Sequence, residues 1–273
     1  MKPDVNLVRL FAMLYCGTIA CIVCFRHAGQ FAWLKLTRPY PKPALILGLW
    51  PAPALSNGQF HGAGAGFVAC LALAAAGVAP RVSLAISVVF YFLYFGPIAS
   101  LSWVQRKIYA MPQILLLLAA APGVDGNLHT PAPTWPLLAI QALLAQGYLT
   151  SAVSKVRSCG IRWASWRQLQ GILLHHDLTY DLPLASLAAR SPWICGFLGG
   201  GVLAFELTFW VVLVTPKIAP VYAITGLLFH VCARILIKID YLTYHAPAYL
   251  VFALVPAAGI PDFAVMVWRR ILI

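Results

Sequence analysis

Long apolar runs, separated by short polar or Pro- and Gly-rich breaks, follow one another along the chain. The first runs from about Leu7 to Phe25, and others lie near 60–79, 82–104, 108–121, 135–155, 193–214, 219–238 and 246–268. A bilayer crossing takes about 20 mostly apolar residues. The pattern therefore predicts an all-α polytopic membrane helix bundle with about eight transmembrane or membrane-embedded helices. The fourth run is short, which suits a tilted, half-inserted or internally packed helix. Arg9, at the start of the first run, is placed to snorkel to the headgroups. Between the first two runs lies the polar stretch Arg38-Pro39-Tyr40-Pro41-Lys42-Pro43, with turns expected at Trp50-Pro51 and Ser56-Asn57-Gly58.

The longest polar segment, Arg157 to Arg190, separates the fifth and sixth runs. It mixes Trp163, Trp166, Arg162, Arg167, His175 and His176 with apolar residues at Leu169, Ile172 and Leu173. That mixture predicts an amphipathic helix lying in the interface. No internal repeat breaks the chain, so a single membrane domain over 1–273 is expected. The first run is long and lacks a small-residue cleavage site, unlike a secretory signal. Lys and Arg concentrate in the odd-numbered loops, including Arg106, Lys107, Arg157, Arg162 and Arg167. With eight spans, the positive-inside rule puts both termini outside the cytoplasm. The expected location is a multi-pass position in a bacterial-type inner or cell membrane.

Composition sharpens this reading. Of 273 residues 62% are hydrophobic and only 10% charged, against about 25% charged in ordinary soluble domains. A water-soluble globule and a disordered chain are both excluded. The net charge of +12 is a weak sign of nucleic acid, because membrane loops collect Lys and Arg for topological reasons. Of seven cysteines, only Cys159 has a polar neighbourhood. Cys21 and Cys24 form a CxxC within the first run with no second pair, so ordinary thiols are expected rather than disulfides or zinc.

Ionisable groups inside a membrane are costly, so each is a functional candidate. Gln141, Tyr148 and Lys155 recur every seven residues, which places them on one helical face with Ser151 between. Glu206, the chain's single glutamate, stands inside the sixth run between Phe205 and Leu207. His230, Arg234 and Lys238 are spaced by four along the seventh. Each has a plainer reading. Lys155 lies near the end of its run and could act as a snorkelling anchor. Glu206 could form a structural ion pair with Arg234 or His230. Glu206 and His230 are expected to face one another, directly or through one bridging residue or water, across the short Thr215–Pro220 turn, since each lies about 15 Å along its helix by the rise of about 1.5 Å per residue. A metal shared by Glu206, His230 and His175 or His176 is a weaker idea, because adjacent histidines point to different faces; no metal is expected.

These residues also carry a resemblance. Gln141 through Tyr148 and Ser151 to Lys155, followed by Gly160-Ile161-Arg162-Trp163, resembles the HTTM (horizontally transferred transmembrane) domain, which is shared with vitamin K-dependent γ-carboxylase. Phe205-Glu206-Leu207, then Gly226 to Phe229-His230, is similar to the family's second signature of an acidic residue and a histidine in consecutive spans. Lys107-Ile108 through Leu118 to Pro122 is similar to the segment before them, and the HTTM-like core covers about 80–240. The resemblance implies that Lys155 deprotonates a quinol such as reduced vitamin K. In the carboxylase, oxygen then converts the activated quinol to an epoxide, yielding a strong base that abstracts a glutamate γ-proton, and carbon dioxide adds to the carbanion. A desolvated lysine suits such a role, and a membrane cavity admits a lipophilic quinol while excluding water. Near Lys107, relatives often carry a histidine, where this chain has Tyr109 and Ala110. The carboxylase's large extramembrane portion has no counterpart, so carboxylation of a protein substrate is not implied.

The expected site thus has Lys155, Glu206 and His230 as catalytic residues, with Gln141, Tyr148, Trp163 and Arg234 binding substrate. Its chemistry would be carboxylase-like, of lyase or oxidase type, coupled to modification of a peptide or small molecule. The expected partners are the lipid bilayer, a lipophilic quinone and a small peptide or protein, without nucleic acid. Two alternatives stay open. One is a non-enzymatic membrane component of peptide maturation, export or immunity. The other is a DoxX-like quinone-binding redox subunit.

Overall fold

In a computed structural model of the chain, the described residues are 5–26, 45–46, 50–51, 55–101 and 110–255. The Arg38–Pro43 stretch, Lys107 to Tyr109 and the last span beyond 255 fall outside them. Apart from a two-residue antiparallel pair, Leu45–Ile46 with Trp50–Pro51, the regular structure is helical. Among the described residues, five helices are long and apolar enough to cross a membrane: Leu7–Arg26, Asn57–Ala76, Pro80–Pro97, Trp135–Ala164 and Ala219–Ile237. Ala110–Ala120, Pro192–Thr208 and Leu242–Leu254 are shorter apolar helices. The chain divides into two compact units, Met1–Leu137 and Leu138–Ile273.

Unit 1 is built from α1 (Leu7–Arg26), α2 (Asn57–Ala76), α3 (Pro80–Leu101) and α4 (Ala110–Ala120). Burial on α1 follows the 3.6-residue period, at Val8, Phe11, Ala12, Tyr15, Cys16 and Ile19. The expected turn at Ser56-Asn57-Gly58 is instead the start of α2. The Ser56 side chain accepts from the Gln59 N–H, and Gln59 reaches back to the Ser56 N–H. This capping box satisfies two of the donors that a helix start leaves orphaned. Aromatic side chains fill the contact of α2 with α3: Phe60 stacks on Tyr94 at 5.1 Å, and Phe67 meets Phe95 edge-on at 5.7 Å.

Arg9 does not snorkel; it is 6% exposed and turned inward. Its guanidinium donates to the carbonyls of Ala74 (3.1 Å) and Val124 (3.4 Å). Ala74 lies in the last turn of α2, where its carbonyl also accepts from the Gly77 N–H at 3.3 Å and the dipole favours a cation. Gly77 ends that helix at φ +89°, and a side chain there would collide with Arg9. Asn6 holds the loop after α4, its Nδ2 donating to Gly123 O at 2.8 Å. Arg81 ties the same loop to α3 through Asp125 (Nε to Oδ2, 2.8 Å) and through the carbonyls of Ala119 and Ala121.

Unit 2 contains most of α5 (Trp135–Cys159), a 3₁₀ turn (Gly160–Ala164), α6 (Trp166–Tyr180), α7 (Pro183–Ala189), α8 (Pro192–Thr208), the single turn α9 (Val211–Val214), α10 (Ala219–Ile237) and α11 (Leu242–Leu254). The segment expected to be amphipathic forms the hairpin α6–α7. Leu173, Ala185, Ala189 and Cys195 make its buried cluster, with Leu169, Leu236 and Ile237 packed against them. The beginning of α8 and the end of α10 therefore meet at α6 and α7. At the opposite end, the Tyr222 hydroxyl donates to Thr208 Oγ1 at 2.9 Å, so α8 and α10 run antiparallel.

Both units expose apolar side chains in stripes. On α3 Val82, Ile86 and Val89 are 56%, 44% and 60% exposed, and on α10 Val221, Ile224 and Leu228 are about as open. An isolated exposed aliphatic needs no explanation, but stripes along whole helices mark surfaces that meet lipid or protein rather than water. With the five long apolar helices, they suggest a protein associated with the bilayer.

Candidate functional site

The polar face of α5 lies inside unit 2, and every member of the heptad-spaced set finds a partner there. Gln141 is buried, and its Nε2 donates to Val251 O (3.2 Å) and Val255 O (3.5 Å) at the end of α11. Both lie at the C-terminal end of that helix, where Val251 O also accepts from the Val255 N–H at 3.1 Å. Two turns on, the Tyr148 hydroxyl hydrogen-bonds His230 Nε2 at 2.7 Å and also the Tyr249 hydroxyl. The Tyr148 ring stacks on Phe209 at 4.4 Å and meets Phe205 edge-on at 5.1 Å.

One turn further, Ser151 and Lys155 converge on Glu206. Lys155 Nζ lies 2.5 Å from each carboxylate oxygen and donates to Ser151 Oγ at 3.0 Å. Ser151 in turn donates to Glu206 Oε1 at 3.1 Å. The side chains of Glu206 and Lys155 are 3% and 22% exposed, respectively. Trp163, carried by the 3₁₀ turn after α5, places its ring centroid 4.8 Å from the ammonium. This is cation–π distance, on a cation already partly withdrawn from water. The site is a closed polar triangle under an indole roof.

Two sequence expectations are corrected. Glu206 and His230 do not pair directly. The helix expected to run to residue 214 is interrupted after Thr208. Glu206 thus sits in the last turn of α8, with its neighbour Phe205 packed on Tyr222 (6.0 Å) and Phe229 (5.8 Å) of α10. The bulk of Phe205 fills the face toward α10, and Glu206 points to α5. Arg234 does not join the site either; it is exposed, while Lys155 already holds the carboxylate.

His230 belongs to a second cluster, with a 3% exposed ring. Tyr241 and His245 lie at centroid distances of 5.6 and 5.4 Å, and Tyr249 at 6.0 Å. Its Nδ1 is buried and has no hydrogen-bond partner among the described residues. Gly226 makes room for this arrangement, since a Cβ there would lie 2.8 Å from Tyr249 Cζ. Tyr241, His245 and Tyr249 were missed in the sequence although they recur every four residues. The last span was expected to begin at 246, which divided the set. Among the described residues, no three His, Cys, Asp or Glu side chains gather as a metal site would require.

Compared with models of protein families, with curated proteins and with solved structures, the chain matches none.

Proposed function

We propose that this is a multi-pass protein of a bacterial-type inner or cell membrane, built from eight membrane-embedded helices with α6 and α7 in the interface. Its reaction is base catalysis on a lipophilic quinol-like substrate, as the resemblance to the HTTM domain and the γ-carboxylase core implies. The observation that carries this reading is the Lys155–Glu206 pair beneath Trp163. A lysine must be neutral to act as a base, and a carboxylate 2.5 Å away in an apolar site is a ready acceptor for its proton. Lys155 would pass a proton to Glu206 and take one from the substrate hydroxyl. Trp163 offers a flat apolar surface for a ring. Tyr148 and His230, one to two turns deeper, would hold the far polar end of the substrate, and Gln141 would fix α5 to α11.

A second reading, a non-enzymatic component of peptide maturation, export or immunity, gains from the same geometry. Both carboxylate oxygens are already occupied by Lys155 and Ser151, as in a purely structural ion pair. The two readings separate in lipid nanodiscs supplied with reduced vitamin K and oxygen. One quinol and one dioxygen give one quinone epoxide and one water, and the epoxide is counted by mass spectrometry. The enzyme reading expects turnover that is lost in both Lys155→Met and Lys155→Arg, because guanidinium keeps its proton. No epoxide from the native protein, or full turnover in Lys155→Arg, would overturn it.

A further inference from the structure

Unit 2 carries its exposed charge almost entirely at one end. The packing of α6, α7, the start of α8 and the end of α10 around Leu173, with the 3₁₀ turn set against the first half of α8, brings Arg162, Arg167, Arg190, Arg234 and Lys238 to that end, all exposed. At the opposite end, where Tyr222 meets Thr208, Lys217 is the sole exposed cation among the described residues of the unit. Three carboxylates share the cationic end, but two already serve its turns. Asp177 accepts from the Leu182 N–H at 2.9 Å, and Asp240 accepts from the Thr243 N–H and hydroxyl.

The cations are interleaved with bare apolar groups. Ile161, Leu178 and Trp193 are 81%, 87% and 88% exposed, and the Arg167 guanidinium lies 5.3 Å from the Trp166 ring centroid. The exposed stripe of α10, from Val221 through Ile224 and Leu228 to Ile235, runs into the same end and stops at Arg234 and Lys238. A nucleic acid or an acidic peptide could neutralise the arginines but would leave this stripe uncovered. A phospholipid covers both, with its phosphodiester on the guanidinium forks and its chains along the stripe.

We propose that this end of unit 2 binds anionic phospholipid headgroups, with Arg162, Arg167 and Arg190 as the principal contacts. The inference rests on the membrane placement proposed above. It extends that placement by selecting one lipid class. Anionic leaflets attract juxtamembrane cations, each contributing about fivefold in binding, and Trp193 with Ile161 would sit at glycerol depth.

The test uses the full chain in phosphatidylcholine nanodiscs containing either brominated phosphatidylcholine or brominated phosphatidylglycerol at equal fraction. Tryptophan quenching is read, and the contribution of this end is identified by its loss in Trp193→Phe. Phosphatidylglycerol is expected to quench more, and the preference should shrink as salt rises. The preference should fall by at least about tenfold in the combined Arg162→Gln, Arg167→Gln, Arg190→Gln variant. It should persist in the charge-preserving triple Lys variant and in Lys217→Gln. Inorganic phosphate at millimolar concentration should not relieve it; full relief would assign the surface to a free anion and overturn the lipid assignment. Equal quenching by the two lipids, or a preference that survives the Gln variant, would overturn the inference while leaving the membrane placement standing. No quenching by either lipid would overturn the placement itself.

Discussion

Arg9 in unit 1 and Lys155 in unit 2 are both cations withdrawn from water, yet they are satisfied in opposite ways. Arg9 is 6% exposed and donates to backbone carbonyls, those of Ala74 and Val124. Carbonyls at a helix end are neutral, fixed dipoles that orient a guanidinium and cannot accept its proton. Lys155 meets the carboxylate of Glu206, a group that can accept one. The first arrangement fastens a loop to a helix end. The second joins an ammonium to a carboxylate under an aromatic ring. Chemistry is therefore expected at the second site and mechanical cohesion at the first.

The largest effect on this contrast comes from breaking the pair. Glu206→Gln leaves the ammonium without a counter-charge and should cost about 3 kcal/mol, at the lower end for buried pairs because Lys155 is partly exposed. Lys155→Met combined with Glu206→Leu should recover most of that loss, since a paired replacement removes both desolvated charges. Thermal unfolding in one fixed lipid mixture checks both variants. Arg9→Gln should cost about 2 kcal/mol by leaving carbonyls of a helix end and a loop without their charged donor. It should lower the melting temperature while leaving any chemistry at Lys155 unchanged. A loss of turnover in Arg9→Gln at temperatures where it stays folded would erase the distinction between the two cations. Tyr148→Phe should cost about 1 kcal/mol through its bonds to His230 and Tyr249, and the Tyr249→Phe variant should not add to it fully, because the two share one network.

The smallest effect concerns Asp125. Burial alone would raise its carboxyl, but the hydrogen bonds and charge of Arg81 outweigh that and hold it below the ordinary value of 3.8. A depressed native value means stability that is present above the unfolded pKa and is lost as pH falls through the folded one. The window thus lies below about pH 4. The pair is roughly half exposed, so the loss should stay under about 1 kcal/mol. Arg81→Gln should flatten this part of the stability profile, as followed by melting temperature against pH.

Much of this was legible in the chain because 3.6-residue periodicity and polar spacing are local. The spacing of seven put Gln141, Tyr148 and Lys155 on one face, and each is found bonded within unit 2. The Arg–Trp mixture after Lys155 correctly marked α6. Two local signals were misread. Ser56-Asn57-Gly58 looked like a turn, but Gln59 completes a capping box, so the same residues start a helix. Arg9 looked like a snorkelling residue because nothing near it in sequence reveals that Ala74 and Val124, 65 and 115 residues away, bring their carbonyls to it. The choice of Lys155 over His230 as the partner of Glu206 was also out of reach. It depends on tertiary packing, in which Phe205 lies against Tyr222 and Phe229 of α10 while its neighbour Glu206 faces α5.

The central claim is that Glu206 can take the proton of Lys155 when a quinol arrives. Infrared difference spectroscopy of the protein in nanodiscs, recorded anaerobically as reduced menadione is added, tests it directly. The account predicts that a protonated-carboxyl stretch appears on binding, shifts in heavy water, and is absent in Glu206→Gln. A carboxylate that stays ionised while the quinol demonstrably binds would contradict it.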